Sequence, residues 1–163
     1  MSDPSIHRPE WDVDVADFGM RAMQLGPRSG AQELGATLYE IDPGGAISPY
    51  HVHHGNEELL LVVSGTPQLR TPDGVRALEP GTVVAFPRGA AGAHRIFNSG
   101  GEPARVVIVS TMNLPEIAEY VDTGTWLTLI GPQDGKAFPA GADVPFMDVR
   151  VQGMRAGTER DGG

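Results

Sequence analysis

Four of the five histidines in this 163-residue chain lie between Gly45 and Asn98. His51 and His53 are two residues apart, so on a β-strand both imidazoles project from the same face. The segment His54-Gly55-Asn56 is typical of a turn, which lets the chain return and present a carboxylate to the two rings. His94 follows on a later predicted strand. Three neutral imidazoles and one carboxylate suit a divalent transition metal and leave coordination positions open.

Two adjacent glutamates compete for the role of the carboxylate ligand. Glu58 has the same strand phase as Leu60 and Val62, whereas Glu57 has the phase of the leucines at 59 and 61. Both phases are apolar, which predicts a strand that is buried on both faces. Burial therefore does not decide between Glu57 and Glu58.

Three residues beside the predicted ligands are candidates for moving protons. His54 follows His53 but lies one phase off it, and Tyr50 precedes His51 with the same offset. Glu57 is either a solvated charge at the rim of the site or an acid behind the ligands. Each of the three has an ordinary structural reading as well, as a turn, core or surface residue.

The site residues form two motifs, G-x5-H-x-H-x4-E-x6-G from Gly45 to Gly65 and G-x5-P-x-G-x4-H-x3-N from Gly81 to Asn98. The pair resembles the two signature motifs of the cupin superfamily. The first motif matches at every position. The second departs, because four residues precede its histidine where the family usually has two. The stretches PYHVHHGNEELLLVVSGTPQLRTPDG, LEPGTVVAFPRG and GAHRIFN are also similar to small stand-alone cupins.

The resemblance implies a site and a fold. It implies that His51, His53, Glu58 and His94 bind one divalent ion per chain, of Fe, Mn, Ni, Co or Zn, and its spacing to Gly65 selects Glu58. It implies an all-β fold, the double-stranded β-helix or jelly-roll barrel of cupins. Residues 1–163 then form a single domain with a core at about 30–130. Family members commonly pair through edge strands, so a homodimer is expected.

Composition limits the classes of partner. The net charge is −9 and Lys136 is the only lysine, so the surface repels phosphate backbones and anionic lipid. Nucleic acid and membrane partners are therefore not expected. The chain has no cysteine, which excludes disulfides and thiolate ligands. No apolar leader or membrane span is evident, and we expect a cytoplasmic protein with a small-molecule substrate.

The pattern of turns predicts many short strands, with one helical exception. Asn113 and Glu116 suit the cap and first turn of a short helix in the C-terminal third. The apolar residues between Trp11 and Phe18 predict a segment against the barrel edge of the same or a partner subunit. Residues 1–10 and 153–163 are expected to be flexible, and the pattern does not place residues 131–150.

Three functions are compatible with these predictions. The favoured one is a metal-dependent enzyme with dioxygenase-like chemistry on a small, largely apolar aromatic, enol or keto-type molecule. A non-redox lyase, isomerase or cyclase and a non-catalytic small-molecule-binding protein are the alternatives. The small residues between Pro87 and Ala93 are expected to form either one wall of the substrate entrance or a surface loop without contact to the cavity.

Overall fold

A computed structural model of the chain describes residues 3–131, 134–141 and 147–150. Thirteen strands account for most of this part of the chain. They are β1 Val13–Val15, β2 Met20–Gln24, β3 Gly35–Ile41, β4 His51–His53, β5 Glu58–Ser64, β6 Gln68–Thr71, β7 Gly74–Ala77, β8 Val83–Phe86, β9 Arg95–Phe97, β10 Ala104–Ser110, β11 Glu116–Tyr120, β12 Thr125–Gly131 and β13 Asp134–Phe138.

The strands form three antiparallel sheets. Six strands pair in the order β1-β2-β3-β10-β5-β8, four in the order β13-β12-β11-β4, and three in the order β7-β6-β9. An isolated bridge between His51 and His94 joins the end of β4 to the segment before β9. This architecture confirms the all-β jelly-roll fold that the motifs implied.

The core lies between the sheets and is built from the inward phase of the central strands. In β5 the side chains of Leu60 and Val62 are buried, whereas Leu59 and Leu61 are 43% and 38% exposed. The prediction that this strand is buried on both faces was therefore wrong. Its outward leucines meet no covering layer in the described chain, although their apolar character is the same as that of the inward ones.

The N-terminal segment covers the edge of its own barrel. Strand β1 pairs with β2, and β2 pairs with β3. Trp11 packs against a second cluster of buried residues that includes Met23 and Leu38, and Ile6 joins the same cluster. Of the two arrangements expected for this segment, the structure therefore shows the one within a single subunit.

The helix expected to begin at Asn113 is a strand. Residues Glu116–Tyr120 form β11, which pairs with β4 on one side and with β12 on the other. A helix of one or two turns has little stability of its own, and two strand ladders outweigh a favourable cap. The described helices are α1 Leu25–Arg28, the 3-10 turns Ala16–Phe18 and Ala90–Gly92, and the helical residues 147–150.

The two C-terminal segments considered in the sequence analysis differ in what the structure describes of them. Strand β13 pairs with β12 and thereby places part of the segment 131–150. The expected flexible tail 153–163 lies outside the described residues. No helix in the described part of the chain is long and apolar enough to cross a membrane.

Candidate metal centre

The three predicted histidine ligands and Glu58 come together inside the barrel. His51 and His53 occupy the two ends of β4, and Glu58 begins β5 after the intervening turn. The bridge between His51 and His94 brings the third imidazole alongside, with the centroids of these two rings 4.4 Å apart. Phe86 stacks on the other side of His94 at 3.8 Å. Alternation along β4 and the strand pairing thus position all four side chains.

The potential ligand atoms are close to one another. The two Nε2 atoms of His51 and His53 lie 3.1 Å apart, and Oε2 of Glu58 lies 3.6 Å from Nε2 of His53. One ligand atom from each of these three residues falls within 4.8 Å of the others. His94 joins the group through Glu58, because its Nε2 atom lies 3.2 Å from Oε2 of that carboxylate. This contact has the distance of an ion pair but not the alignment of a hydrogen bond.

Hydrogen bonds on the far side of the rings determine which nitrogen faces the centre. Nδ1 of His51 lies 2.9 Å from the carbonyl oxygen of Pro49, and Nδ1 of His94 lies 2.9 Å from that of Gly92. A carbonyl oxygen only accepts, so Nδ1 carries the proton in both rings and Nε2 presents a lone pair. Lone pairs converge beside a carboxylate, an arrangement that a divalent transition metal satisfies. The residues present therefore fit the expected ion.

The electrostatics of the group favour the neutral form of His51 and the ionised form of Glu58. Burial, and then the neighbouring rings of His94 and His53, lower the pKa of His51 to about 4. Burial by itself would raise the pKa of Glu58, but the contact with His94 and the charges of the other imidazoles lower it on balance. Neutral imidazole and ionised carboxylate are the protonation states in which these groups bind metals.

A cavity of about 440 Å³ opens onto the same group. Its lining includes His53 and Glu58 from the centre, and exposed Leu34, Met112 and Leu114 at the mouth. The described lining is Gln24, Pro27, Ala31, Gln32, Leu34, Gly35, Ala36, Thr37, Tyr39, His53, Asn56, Glu58, Ile108, Ser110, Met112, Asn113, Leu114, Glu116, Leu129 and Gly131. Neither arginine nor lysine occurs among these described lining residues, so no cationic side chain in that set faces a ligand.

The three predicted proton-transfer residues do not join the group. Glu57 is exposed, and its backbone N–H donates to the hydroxyl of Thr111. His54 is exposed and stacks on Trp126, with ring centroids 5.2 Å apart. Tyr50 is buried beneath the guanidinium of Arg70, which lies 4.0 Å from the ring centroid. None of the three lines the described cavity, and their catalytic roles stay predictions.

Two titratable residues of the cavity were not identified from the sequence. Glu116 was placed in a helix, although its strand phase brings it beside the site. Tyr39 lies on β3, and burial together with the charge of Glu58 raises the pKa of its hydroxyl. The alternation of side chains along β3 could have placed Tyr39 on the cavity face from the sequence alone. The pairing of β11 with β4, which brings Glu116 to the site, was not visible in the sequence.

The segment from Pro87 to Ala93 does not line this cavity. Its middle forms the 3-10 turn Ala90–Gly92 and folds back on its own start. A Cβ atom on Gly92 would lie 1.7 Å from the carbonyl oxygen of Pro87, so the small residue there serves close packing. The segment is therefore neither part of the described lining of this cavity nor a slack surface loop, because Gly92 and Ala93 are buried, and its role at a substrate entrance stays a prediction.

The comparisons with known proteins agree with this geometry. A family model described as a cupin domain matches residues 37–110, which contain all four predicted ligands. The chain contains a cupin domain. Two auxin-binding proteins of Prunus persica, ABP19a and ABP19b, are similar to it at 39% and 36% identity. Each match covers 46% of this chain, and the chain spans only 38% of the length of each of these curated relatives.

The similarity to solved structures extends over more of the chain. A sugar phosphate isomerase of the cupin superfamily from Silicibacter pomeroyi superposes with a TM-score of 0.72 at 25% identity, covering 79% of this chain and 82% of that one. A putative sugar phosphate isomerase from Acidithiobacillus ferrooxidans gives 0.70 at 28% identity, with coverage of 77% and 79%. A polyketide cyclase from Streptomyces resistomycificus gives 0.51 at 25% identity, with coverage of 60% and 69%.

Proposed function

We propose that this cupin is a metal-dependent enzyme that acts on a small, uncharged and largely apolar molecule. One observation carries the proposal. The group of imidazoles and Glu58 opens into a cavity whose mouth is apolar and whose described lining includes no arginine or lysine. A reactive centre at the floor of an apolar cavity is the usual arrangement of a small-molecule site.

The metal would be held by His51, His53, Glu58 and His94. When bound, it would supply Lewis-acid polarisation of a substrate oxygen or, with a redox-active ion, dioxygen chemistry. The protein contributes the dry environment, because His94 is 1% exposed and Phe86 covers one face of its ring. Electrostatic interactions are stronger in such a site than in water.

The charges of the cavity favour an uncharged substrate over a phosphorylated one. Glu58 would bind the metal and Glu116 also lines the cavity, so that, apart from the metal, a phosphate group would meet no described cationic side chain there. Leu34, Met112 and Leu114 are 55%, 47% and 47% exposed around the mouth, which favours contact with an apolar body. The two isomerases that are similar in fold act on sugar phosphates by name, so the comparison by itself favours the opposite class.

We favour dioxygenase-like chemistry on an aromatic, enol or keto-type substrate, because a four-residue ligand group leaves coordination positions for further ligands. A non-redox isomerase, lyase or cyclase is the second candidate. The names of the similar isomerases and of the polyketide cyclase support it. Tyr39 would then be the proton donor that the cavity itself offers. A non-catalytic binding protein is a third, supported only by the names of the auxin-binding relatives.

Elemental analysis combined with oxygen uptake separates these candidates. The purified protein is expected to contain one transition metal ion per chain and to consume oxygen with a member of a panel of phenols, enols and keto acids. Product formed at the same rate without oxygen would instead indicate the isomerase, lyase or cyclase. Turnover of sugar phosphates alone would contradict the proposed substrate class.

A substitution at the mouth tests whether this cavity is the binding site. Leu114→Asp places a charge on a half-exposed side chain of the rim, whereas Val75→Asp does the same on β7, away from the cavity. We expect Leu114→Asp to weaken binding of a neutral aromatic ligand about tenfold or more while metal content stays constant. Val75→Asp should change neither. Equal ligand binding by the two variants would indicate that the ligand site lies outside this cavity.

A further inference from the structure

We infer that Glu116 is a positioning residue that orients His53 and fixes its tautomer at the metal centre. The inference rests on the proposed metal-binding function but concerns a residue that the ligand motifs do not include. It follows from three observations: the register of β11 against β4, the donors that surround the Glu116 carboxylate, and the different partners of the other two imidazoles.

The register of two strands brings Glu116 beside His53. Ala118 of β11 lies directly opposite His53 of β4. Glu116, the first residue of β11, precedes Ala118 by two residues and therefore lies on the same face of the sheet. Diagonal neighbours of this kind are within reach of a long side chain. Glu116 is 2% exposed, so its carboxylate is held inside the protein next to the site.

Every described polar partner of the Glu116 carboxylate is a donor. Oε1 accepts hydrogen bonds from the backbone N–H groups of His54 at 3.2 Å and Gly55 at 3.3 Å, and Oε2 accepts one from the side-chain amide of Asn56. Nδ1 of His53 lies 3.4 Å from Oε1. Such an environment suits an acceptor-only carboxylate and leaves no place for the amide hydrogens of a glutamine.

His53 differs from the other two imidazoles in the partner of its Nδ1 atom. In His51 and His94 this atom faces a backbone carbonyl at hydrogen-bond distance. In His53 it is buried and has no described hydrogen-bond partner, and the oxygen it approaches is that of Glu116. At 3.4 Å the two atoms are within ion-pair distance but do not form a hydrogen bond in this ring orientation. We therefore assign to Glu116, at Nδ1 of His53, the role that the backbone carbonyl oxygens have at Nδ1 of the other two rings.

A carboxylate partner changes what His53 can do as a ligand. It holds the proton on Nδ1, directs the lone pair of Nε2 toward Glu58 and makes the imidazole a stronger electron donor than a carbonyl partner does. Gly55 is part of the same arrangement, because a Cβ atom there would lie 2.8 Å from Oε2 of Glu116. The turn between the ligand strands is thus shaped around this carboxylate.

The chain offers a matched control within the same network. The hydroxyl of Thr111 donates to Oδ1 of Asn56 at 2.9 Å and accepts from the backbone N–H of Glu57. Thr111→Val therefore loosens the turn that Glu116 also holds, without removing any group that contacts Glu116 or His53. A purely structural role for Glu116 predicts the same behaviour from Thr111→Val and Glu116→Gln.

The test compares these two variants in the full-length chain. Co²⁺ affinity is measured by titration followed by visible absorption, and the His53 tautomer by nitrogen NMR on the metal-free protein. Glu116→Gln is expected to weaken Co²⁺ binding about 10- to 100-fold and to shift His53 away from the tautomer with the proton on Nδ1. Thr111→Val should keep the wild-type tautomer and bind Co²⁺ within about threefold of wild type.

Two outcomes would overturn the inference. One is an unchanged His53 tautomer in Glu116→Gln, and the other is a loss of Co²⁺ affinity equal to that of Thr111→Val. Should Glu116→Gln not fold, Glu116→Asp carries the same test, because the shorter carboxylate withdraws from His53. The NMR arm needs neither metal nor turnover. A wild-type protein without activity or metal affinity would therefore refute the proposed function while the role of Glu116 is still measured.

Discussion

At the scale of single residues, burial and crowding account for the properties of the site. Three imidazoles and a carboxylate share one space, and His94 is almost completely removed from solvent. A positive charge on His51 is disfavoured both by burial and by the neighbouring rings, which lowers the pKa of that imidazole to about 4.

Removing a ligand should remove the metal but keep the fold. We expect His51→Ala, His53→Ala, Glu58→Ala and His94→Ala each to lower metal affinity more than about 100-fold, beyond what outer partners contribute. Circular dichroism should still report a β-rich protein, because the strands do not depend on these four side chains. Glu57→Ala is the control, since Glu57 is exposed. Metal loss in Glu57→Ala, but not in Glu58→Ala, would reverse the assignment.

The metal-free protein should lose stability in acid. In the unfolded chain His51 takes up a proton near its ordinary pKa of 6.5, whereas burial and the neighbouring rings lower its pKa to about 4 in the folded protein. The unfolded state therefore binds more protons between these values, and the free energy of unfolding falls as the pH falls from 6.5 to 4. The lowered pKa of Glu58 acts in the same direction at the acid end.

Urea unfolding of the chelator-treated protein between about pH 7 and pH 4.5 measures this effect. The midpoint should move to lower urea as the pH falls, and it should move less in His51→Asn. An identical pH dependence in the variant and the wild type would show that His51 does not carry it.

At the scale of elements, the segment before His94 is packed closely against its own start. Gly92 is buried, and its carbonyl accepts the hydrogen bond from Nδ1 of His94. Any shift of this turn is therefore transmitted to a ligand. The mouth of the cavity is built instead by other segments, which carry Leu34, Met112 and Leu114.

Gly92→Ala is expected to cost about 1 to 3 kcal/mol of stability, the range for overpacking a tight site. The added Cβ would lie 1.7 Å from the carbonyl oxygen of Pro87, so the backbone has to move. Metal affinity should fall with it. Ala91→Leu is the matched control, because Ala91 is exposed on the same turn. Chemical unfolding and metal titration of both variants provide the measurement, and equal behaviour would show that the turn has room to adjust.

An ion-pair cluster attaches the N-terminal strands to the barrel. The buried carboxylate of Glu40 on β3 pairs with Arg21 of β2 and, at 2.6 Å, with Arg105 of β10. Both guanidinium groups also lie over the ring of Trp11, at 5.5 Å and 5.9 Å from its centroid. One acidic side chain thus connects three strands and the segment that covers the barrel edge.

Glu40→Gln is expected to destabilise the protein by about 2 to 3 kcal/mol, because it leaves two cations without their buried partner. This value is below that of a fully buried pair, since the two arginine side chains are 36% and 31% exposed. Asp122→Asn breaks the exposed pair with Arg70 and should change stability little. Thermal or urea unfolding of the two variants tests the ranking. A smaller effect of Glu40→Gln would contradict it.

At the scale of the whole molecule, the outer face of the largest sheet is apolar at one end. Leu59 and Leu61 of β5 project outward beside Val83 of β8, which is 55% exposed, and β8 is the last strand of its sheet. An unpaired strand next to exposed apolar side chains is a surface that proteins usually cover. We propose that a second copy of the chain covers it, in keeping with the expected homodimer.

Sedimentation of the wild type and of Leu61→Asp tests this arrangement. Leu61 faces outward, so the substitution should leave the chain folded while it disrupts a dimer on this face. The wild type is expected to sediment as a dimer and Leu61→Asp as a monomer. A monomeric wild type, or a dimeric variant, would contradict this interface.

The sequence by itself predicted many short strands and two histidines on one strand face, because both depend on local pattern, whereas the jelly-roll fold and the choice of Glu58 over Glu57 followed from the resemblance of its motifs to those of cupins. Two histidines in one strand phase, a turn and a carboxylate at fixed spacing are recognisable without coordinates. Pairing between distant segments was not. Only the tertiary structure made β11 a strand, brought Glu116 to His53 and directed Leu59 and Leu61 outward. The physical reason is that a strand gains its hydrogen bonds and its buried face from partners far along the chain, whereas periodicity reports only neighbours within a few residues.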